Sequence, residues 1–154
     1  MTARCGSMLV ALWMAVLLAA PARSQSVAEQ LVGTYRLALY KPHGSEPIGR
    51  ISYDSSGRMW AMIFPPGRAP VTQSSTPEEY RATMRGVVAY YGTYTIDEAT
   101  GRVVHHVEAA SNPDWIGDEF VRWYRFENGN LWISLNARFE NPLLWERLPE
   151  TVAQ

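Results

Sequence analysis

Apolar and polar residues alternate with a period of two along most of the chain between Leu31 and Leu148. Leu31, Gly33, Tyr35, Leu37 and Leu39 alternate against Val32, Thr34, Arg36, Ala38 and Tyr40, which reads as a first strand over Leu31 to Tyr40. Ile51 to Tyr53 and Arg58 to Phe64 form a hairpin about Asp54-Ser55-Ser56-Gly57, and Phe64-Pro65-Pro66-Gly67 ends it. Thr93 to Asp97, Arg102 to Ala109, Asp118 to Glu127, Leu131 to Ala137 and Leu143 to Leu148 complete eight strands. Their turns are short, with Asn128-Gly129-Asn130 the best hairpin signal.

One stretch breaks the pattern. Ser75-Thr76-Pro77-Glu78-Glu79 is a helix start, with Thr76 as N-cap, Pro77 in the first turn and acids at the positive end of the dipole. Tyr80, Met84, Val87, Val88 and Tyr91 follow at helical spacing, which predicts a helix to about Tyr90, ended by Gly92. The alternative is a helix to Arg85 and a strand from Val87, because Gly86 weakens a helix interior by roughly 1 kcal/mol. The face of Tyr80, Met84 and Tyr91 is expected to plug or lean on the sheet. The whole predicts an all-β fold, an antiparallel eight-stranded up-and-down barrel with one helical segment between strands 3 and 4. A closed sheet of this size has no sticky edges and room for one small ligand.

The chain is expected to divide into a signal peptide over 1–22 (or to 24 in its second cleavage register), a lead-in over 23–30, the barrel over 31–148 and a tail over 149–154. Arg4 and the 13-residue apolar run Met8 to Ala20 form the leader, too short to span a bilayer. Ala20-Pro21-Ala22 is the cleavage pattern, and Ala22-Arg23-Ser24 a second one. Cleavage removes Cys5, the only cysteine, so the mature chain forms no disulfide and offers no thiolate. The expected location is secreted or periplasmic, with no stable membrane insertion after cleavage; export without disulfides or glycosylation sequons suits a bacterial periplasm. The net charge of −1 carries no Lys/Arg stripe, so nucleic acid is not an expected partner.

Several segments together resemble the bacterial lipocalin-like domain family of calycin-type barrels. They are Leu31-Val32-Gly33-Thr34-Tyr35-Arg36-Leu37, Thr76-Pro77-Glu78-Glu79-Tyr80, Ala89-Tyr90-Tyr91-Gly92-Thr93-Tyr94, Val104-His105-His106-Val107-Glu108, Asn112-Pro113-Asp114-Trp115-Ile116-Gly117 and Leu144-Trp145-Glu146-Arg147. The resemblance covers essentially the whole mature chain and implies a barrel, not a reaction. It also implies that Tyr35 takes a place where lipocalins usually carry Trp, covered by Arg147 from the last strand. With Gly33, these residues are the expected structural closure of one barrel end.

Candidate chemistry is sparse. His105 and His106 are adjacent, so on a strand they point to opposite faces and cannot jointly hold one metal without a bulge. His106 shares a face with Glu108, an arrangement suited to ligand contact or, with Tyr94, to acid–base work in an enzyme. No metal and no cofactor is expected, since no third ligand is identified by spacing. Arg122 and Tyr124 share a face with Phe120 and Phe126; Arg122 is either solvent-facing or an anchor for a carboxylate. Trp115 lies in a loop and is a candidate to close the mouth. Tyr94, His106, Trp115, Arg122 and Tyr124 are thus the candidate ligand-binding residues. Catalytic motifs such as Gly-x-Ser-x-Gly or Gly-x-Gly-x-x-Gly are missing. The preferred reading is a carrier or sensor of a small hydrophobic molecule. A cyclase or isomerase acting on an apolar molecule, and a solid barrel acting as an envelope or interaction protein, are the alternatives.

Overall fold

The computed structural model describes residues 25–41 and 47–150. The leader, its cleavage sites and the last four residues of the tail lie outside them. Eight antiparallel strands run in chain order around a closed barrel: β1 (Gly33–Leu39), β2 (Ile48–Tyr53), β3 (Arg58–Phe64), β4 (Val88–Asp97), β5 (Arg102–Ala110), β6 (Glu119–Glu127), β7 (Asn130–Ser134) and β8 (Leu143–Arg147). Closure is made by β1 against β8, with Tyr35 opposite Arg147 and Leu37 opposite Trp145. The register shifts between Leu37 and Leu39, and that irregularity brings Tyr40 onto the inner face beyond it.

Alternation sorts the side chains as expected. Tyr35, Leu37, Ile51, Tyr53, Met59, Ala61, Val103, Val107, Leu131, Ile133 and Trp145 are buried in one continuous core inside the barrel.

Helix α1 (Val27–Leu31) closes one end, and Leu31 at its last position is fully buried rather than opening a strand. Its start is a capping box: Ser26 accepts from the Glu29 backbone and Glu29 accepts from the Ser26 backbone. Tyr35 donates to the carbonyls of α1 at Gln30 and Leu31, each at 2.9 Å. Arg147 spans the same end, donating to the Val32 carbonyl at 2.6 Å and to the Gln30 carbonyl. Burial pushes the Tyr35 hydroxyl up to about 12 against the opposing pull of Arg147. Gly33, at φ +147, leaves the space this requires: a Cβ there would lie 2.2 Å from Arg147 Nη1.

Helix α2 (Pro77–Met84) starts where expected, with Thr76 and Glu79 forming a reciprocal capping box. It ends well before Tyr90, which corrects the longer helix. Arg85 is extended, Gly86 turns the chain at φ +76, and Val88 to Gly92 pair instead with Ile63 to Met59 of β3. The hydrogen bonds and burial of a sheet strand outweigh a local helical spacing that no neighbour rewards. Nor does α2 plug the barrel. It buries none of its residues, and Tyr80, Met84 and Tyr91 are 44%, 49% and 56% exposed. It is tied to the loop before it, through Tyr80 to the Thr72 carbonyl and Thr83 to the Ala69 carbonyl. Among the described residues no helix is long and apolar enough to cross a membrane.

Candidate functional site

Opposite the end sealed by α1, the barrel interior contains a cavity of about 110 Å³. Its walls are mainly aliphatic, with Ile51, Ala61, Ile63, Ile133 and Leu143 among them, and the exposed Leu135 stands at the rim. Its polar part comes from four strands, Tyr90 on β4, His105 on β5, Arg122 on β6 and Trp145 on β8, and from Tyr40 just beyond β1. They meet because each holds the inward phase of its strand. Val103, His105 and Val107 are all buried, so the imidazole stands in a row of valines.

His105 is 1% exposed and hydrogen-bonded at both ring nitrogens. Its Nε2 meets the Tyr53 hydroxyl and its Nδ1 the Tyr90 hydroxyl, each at 2.8 Å. Burial, the nearby Arg122 charge and His106 together push its pKa down to about 3, so the ring is neutral at physiological pH. Burial raises Tyr53 well above its ordinary value and raises Tyr90 too, the latter opposed by Arg122. Both phenols therefore keep their protons. An imidazole this weakly basic is a poor proton acceptor near neutrality and acts as a hydrogen-bonding hub.

Arg122 is half-buried with its guanidinium carbon 4.9 Å from the Phe120 ring centre, the geometry of a cation–π contact. It donates to the Val121 carbonyl at 3.0 Å, and its charge acts on Tyr90. None of the salt bridges among the described residues involves it. Trp145 is 2% exposed, and its indole Nε1 is the one buried side-chain polar atom among the described residues without a hydrogen-bond partner.

Of the residues expected at the site from sequence, Arg122 lines the cavity and resolves to its inward alternative. His106 and Glu108 do not face the lumen. They take the outward phase of β5, where Glu108 is exposed and His106 contacts Thr95 at 3.1 Å and Glu119 at 3.2 Å. Tyr94 and Tyr124 face inward but nearer the sealed end. Tyr94 packs edge-on against Tyr53 and donates to the Asp54 carbonyl at 2.7 Å, and Tyr124 packs against Phe126. Trp115, in a single 3-10 turn (Pro113–Trp115), rests on Phe120 at 5.8 Å, and Phe120 in turn meets Tyr90 at 5.2 Å. It buttresses the mouth without lining the cavity. His105, Tyr90, Tyr53 and Trp145 were not among the expected contacts. The apolar flanks Val103 and Val107 were the sequence signal for His105, and the overlong helix concealed Tyr90.

A family model described as a lipocalin-like domain matches residues 26–147. A stretch of 50 residues is 42% identical to a curated protein of Aspergillus oryzae named 4'-hydroxy-3'-methoxypropiophenone carrier protein. The match takes in 29% of this chain and spans 45% of that relative's length.

Proposed function

We propose that this chain, which belongs to the lipocalin-like domain family, is an exported carrier or sensor that holds one small hydrophobic molecule in its lumen. The observation that carries the reading is the cavity itself: aliphatic walls converging on a few fixed polar groups, the form of a small-molecule site. Its size indicates the scale of the ligand. A dry cavity of about 150 Å³ admits benzene, so about 110 Å³ encloses at most a small ring, with any larger substituent reaching out past Leu135 at the rim, and is short for a long acyl chain. The named cargo of the Aspergillus oryzae relative is a single-ring aryl ketone, which is consistent with that scale. The neutral His105, committed to two tyrosines, favours binding over proton abstraction.

The reading is tested by native mass spectrometry of the purified protein for a co-purifying small molecule, followed by titration with single-ring aromatics, isoprenoids and fatty acids. Saturable binding of a ring-sized compound at one site, with a change in tryptophan emission, is the expected result. Absence of saturable binding across all three classes would overturn it in favour of a barrel that works through its outer surface.

A further inference from the structure

The proton inventory of the lumen specifies which kind of polar atom the ligand brings. A neutral imidazole has one N–H and one lone pair, so of the two phenols on His105 one donates to the ring and the other accepts from it. Tyr53 is 1% exposed, and His105 Nε2 is its hydroxyl's partner among the described residues. If Tyr53 accepted from the ring, its own proton would be buried without an acceptor. Tyr53 therefore donates to Nε2, the ring proton sits on Nδ1, and Nδ1–H donates to the Tyr90 hydroxyl.

That assignment makes Tyr90 the acceptor of the His105 Nδ1–H, with its own O–H proton unplaced at the cavity wall. Arg122 contributes a cation that donates to the Val121 carbonyl but meets no carboxylate among the described residues, and Trp145 a buried N–H without a partner among them. No carboxylate, amide or Ser/Thr hydroxyl is among the described residues that line the cavity. Tyr40 adds a hydroxyl, which both donates and accepts, so donors still outnumber acceptors along the wall. An unsatisfied buried donor is costly, so an apolar lumen with this surplus is matched by a ligand that ends in an acceptor.

We propose that the cavity recognises a single-ring molecule through a carbonyl or carboxylate oxygen, which receives hydrogen bonds from Tyr90, Arg122 and Trp145. The inference rests on the lumen being a binding site, and it adds the class of polar group and the residues that select it. Selectivity arises because a hydrocarbon of equal shape would leave the three donors unpaired.

Three probes of similar size separate the possibilities: propylbenzene without an acceptor, propiophenone with a carbonyl and 3-phenylpropanoate with a carboxylate. Each is titrated into the full-length chain and into its Tyr90→Phe and Trp145→Phe variants. The wild-type protein is expected to bind at least one oxygen-bearing probe about tenfold or more tighter than propylbenzene. Each variant should reduce that preference several-fold, read as the ratio of oxygen-bearing probe to propylbenzene affinity within the same variant, so that a change in the shape of the wall cancels. Should either variant fail to fold, the infrared carbonyl stretch of wild-type-bound propiophenone decides alone, by a shift to lower frequency than in hydrocarbon solvent. Tighter propiophenone identifies a neutral carbonyl, and tighter phenylpropanoate an anion held by Arg122. Equal affinity for propylbenzene and both oxygen-bearing probes, or an unshifted carbonyl stretch, overturns the proposal. No binding of any probe, propylbenzene included, removes the lumen as a binding site and so falls on the broader function instead.

Discussion

The Arg147 guanidinium carbon lies over the Tyr35 ring, 4.7 Å from its centre, while its Nη2 donates to the Tyr35 hydroxyl at 2.5 Å. The same hydroxyl donates onward to the last carbonyls of α1. One pair, facing each other in the β1–β8 register, thus joins the strand closure to the helix that covers it.

Arg147→Ala is expected to cost roughly 1–3 kcal/mol, from the lost ring contact and from carbonyls left without their donor. Arg147→Lys should lose less, keeping the charge without the fork. Gly33→Ala should destabilise more than Gly67→Ala: both sit at positive φ, but only at Gly33 does the new Cβ collide with the guanidinium, while Gly67 has nothing within 4 Å. Chemical denaturation of the set checks this, and equal midpoints for the two alanine variants would contradict the closure scheme.

His105 makes stability depend on pH with a definite sign. Its folded pKa of about 3 lies below the ordinary 6.5, so between those values the unfolded chain takes up a proton that the folded chain refuses. This contribution is complete above pH 6.5 and is lost as pH falls toward 3, at up to ~1.4 kcal/mol per pH unit. Asp54 and Asp97, held low by hydrogen bonds from Arg58 and Arg102, act in the same direction at lower pH and stay present in a His105→Gln variant. That variant should show a flatter stability profile between pH 6.5 and 4.5 than the wild type. Parallel profiles would mean that the imidazole is not buried neutral.

Arg122→Leu should weaken binding of 3-phenylpropanoate about tenfold or more while changing affinity for its methyl ester much less, because only the acid carries a charge for the fork. Isothermal titration of the two compounds measures the difference. Equal losses would assign Arg122 to packing against Phe120.

Export predicts a mature amino terminus at Arg23 or Gln25, read by mass spectrometry of protein from the periplasm or medium. Intact Met1 on membrane-embedded protein would contradict cleavage.

Period-two alternation made the strand frame legible, because each inward residue is also a buried one. The Tyr35–Arg147 contact was legible as well, through the resemblance that aligned two residues more than a hundred positions apart. The end of α2 was not: Tyr80, Met84, Val87, Val88 and Tyr91 fit a helix locally, and only pairing with β3 and β5 overrides that fit. His105 was missed on phase. With two adjacent histidines and a valine on either side, a one-residue choice moves the candidate from lumen to surface, and the acidic Glu108 drew attention to the outer one. The short α1 was missed, its residues reading as a lead-in and the start of a strand, although Ser26-x-x-Glu29 carries its capping pattern.

Because β8 pairs with β1, the strands form a ring in which no member is first. Gly33 and Arg147 stand side by side at the sealed end, so a short bridge between the two segments there, with a new opening at the Asn128-Gly129 turn, would preserve every ladder around the circumference. The order in which the ribosome delivers the strands is then a matter of assembly history, and a circularly permuted chain should reach the same lumen.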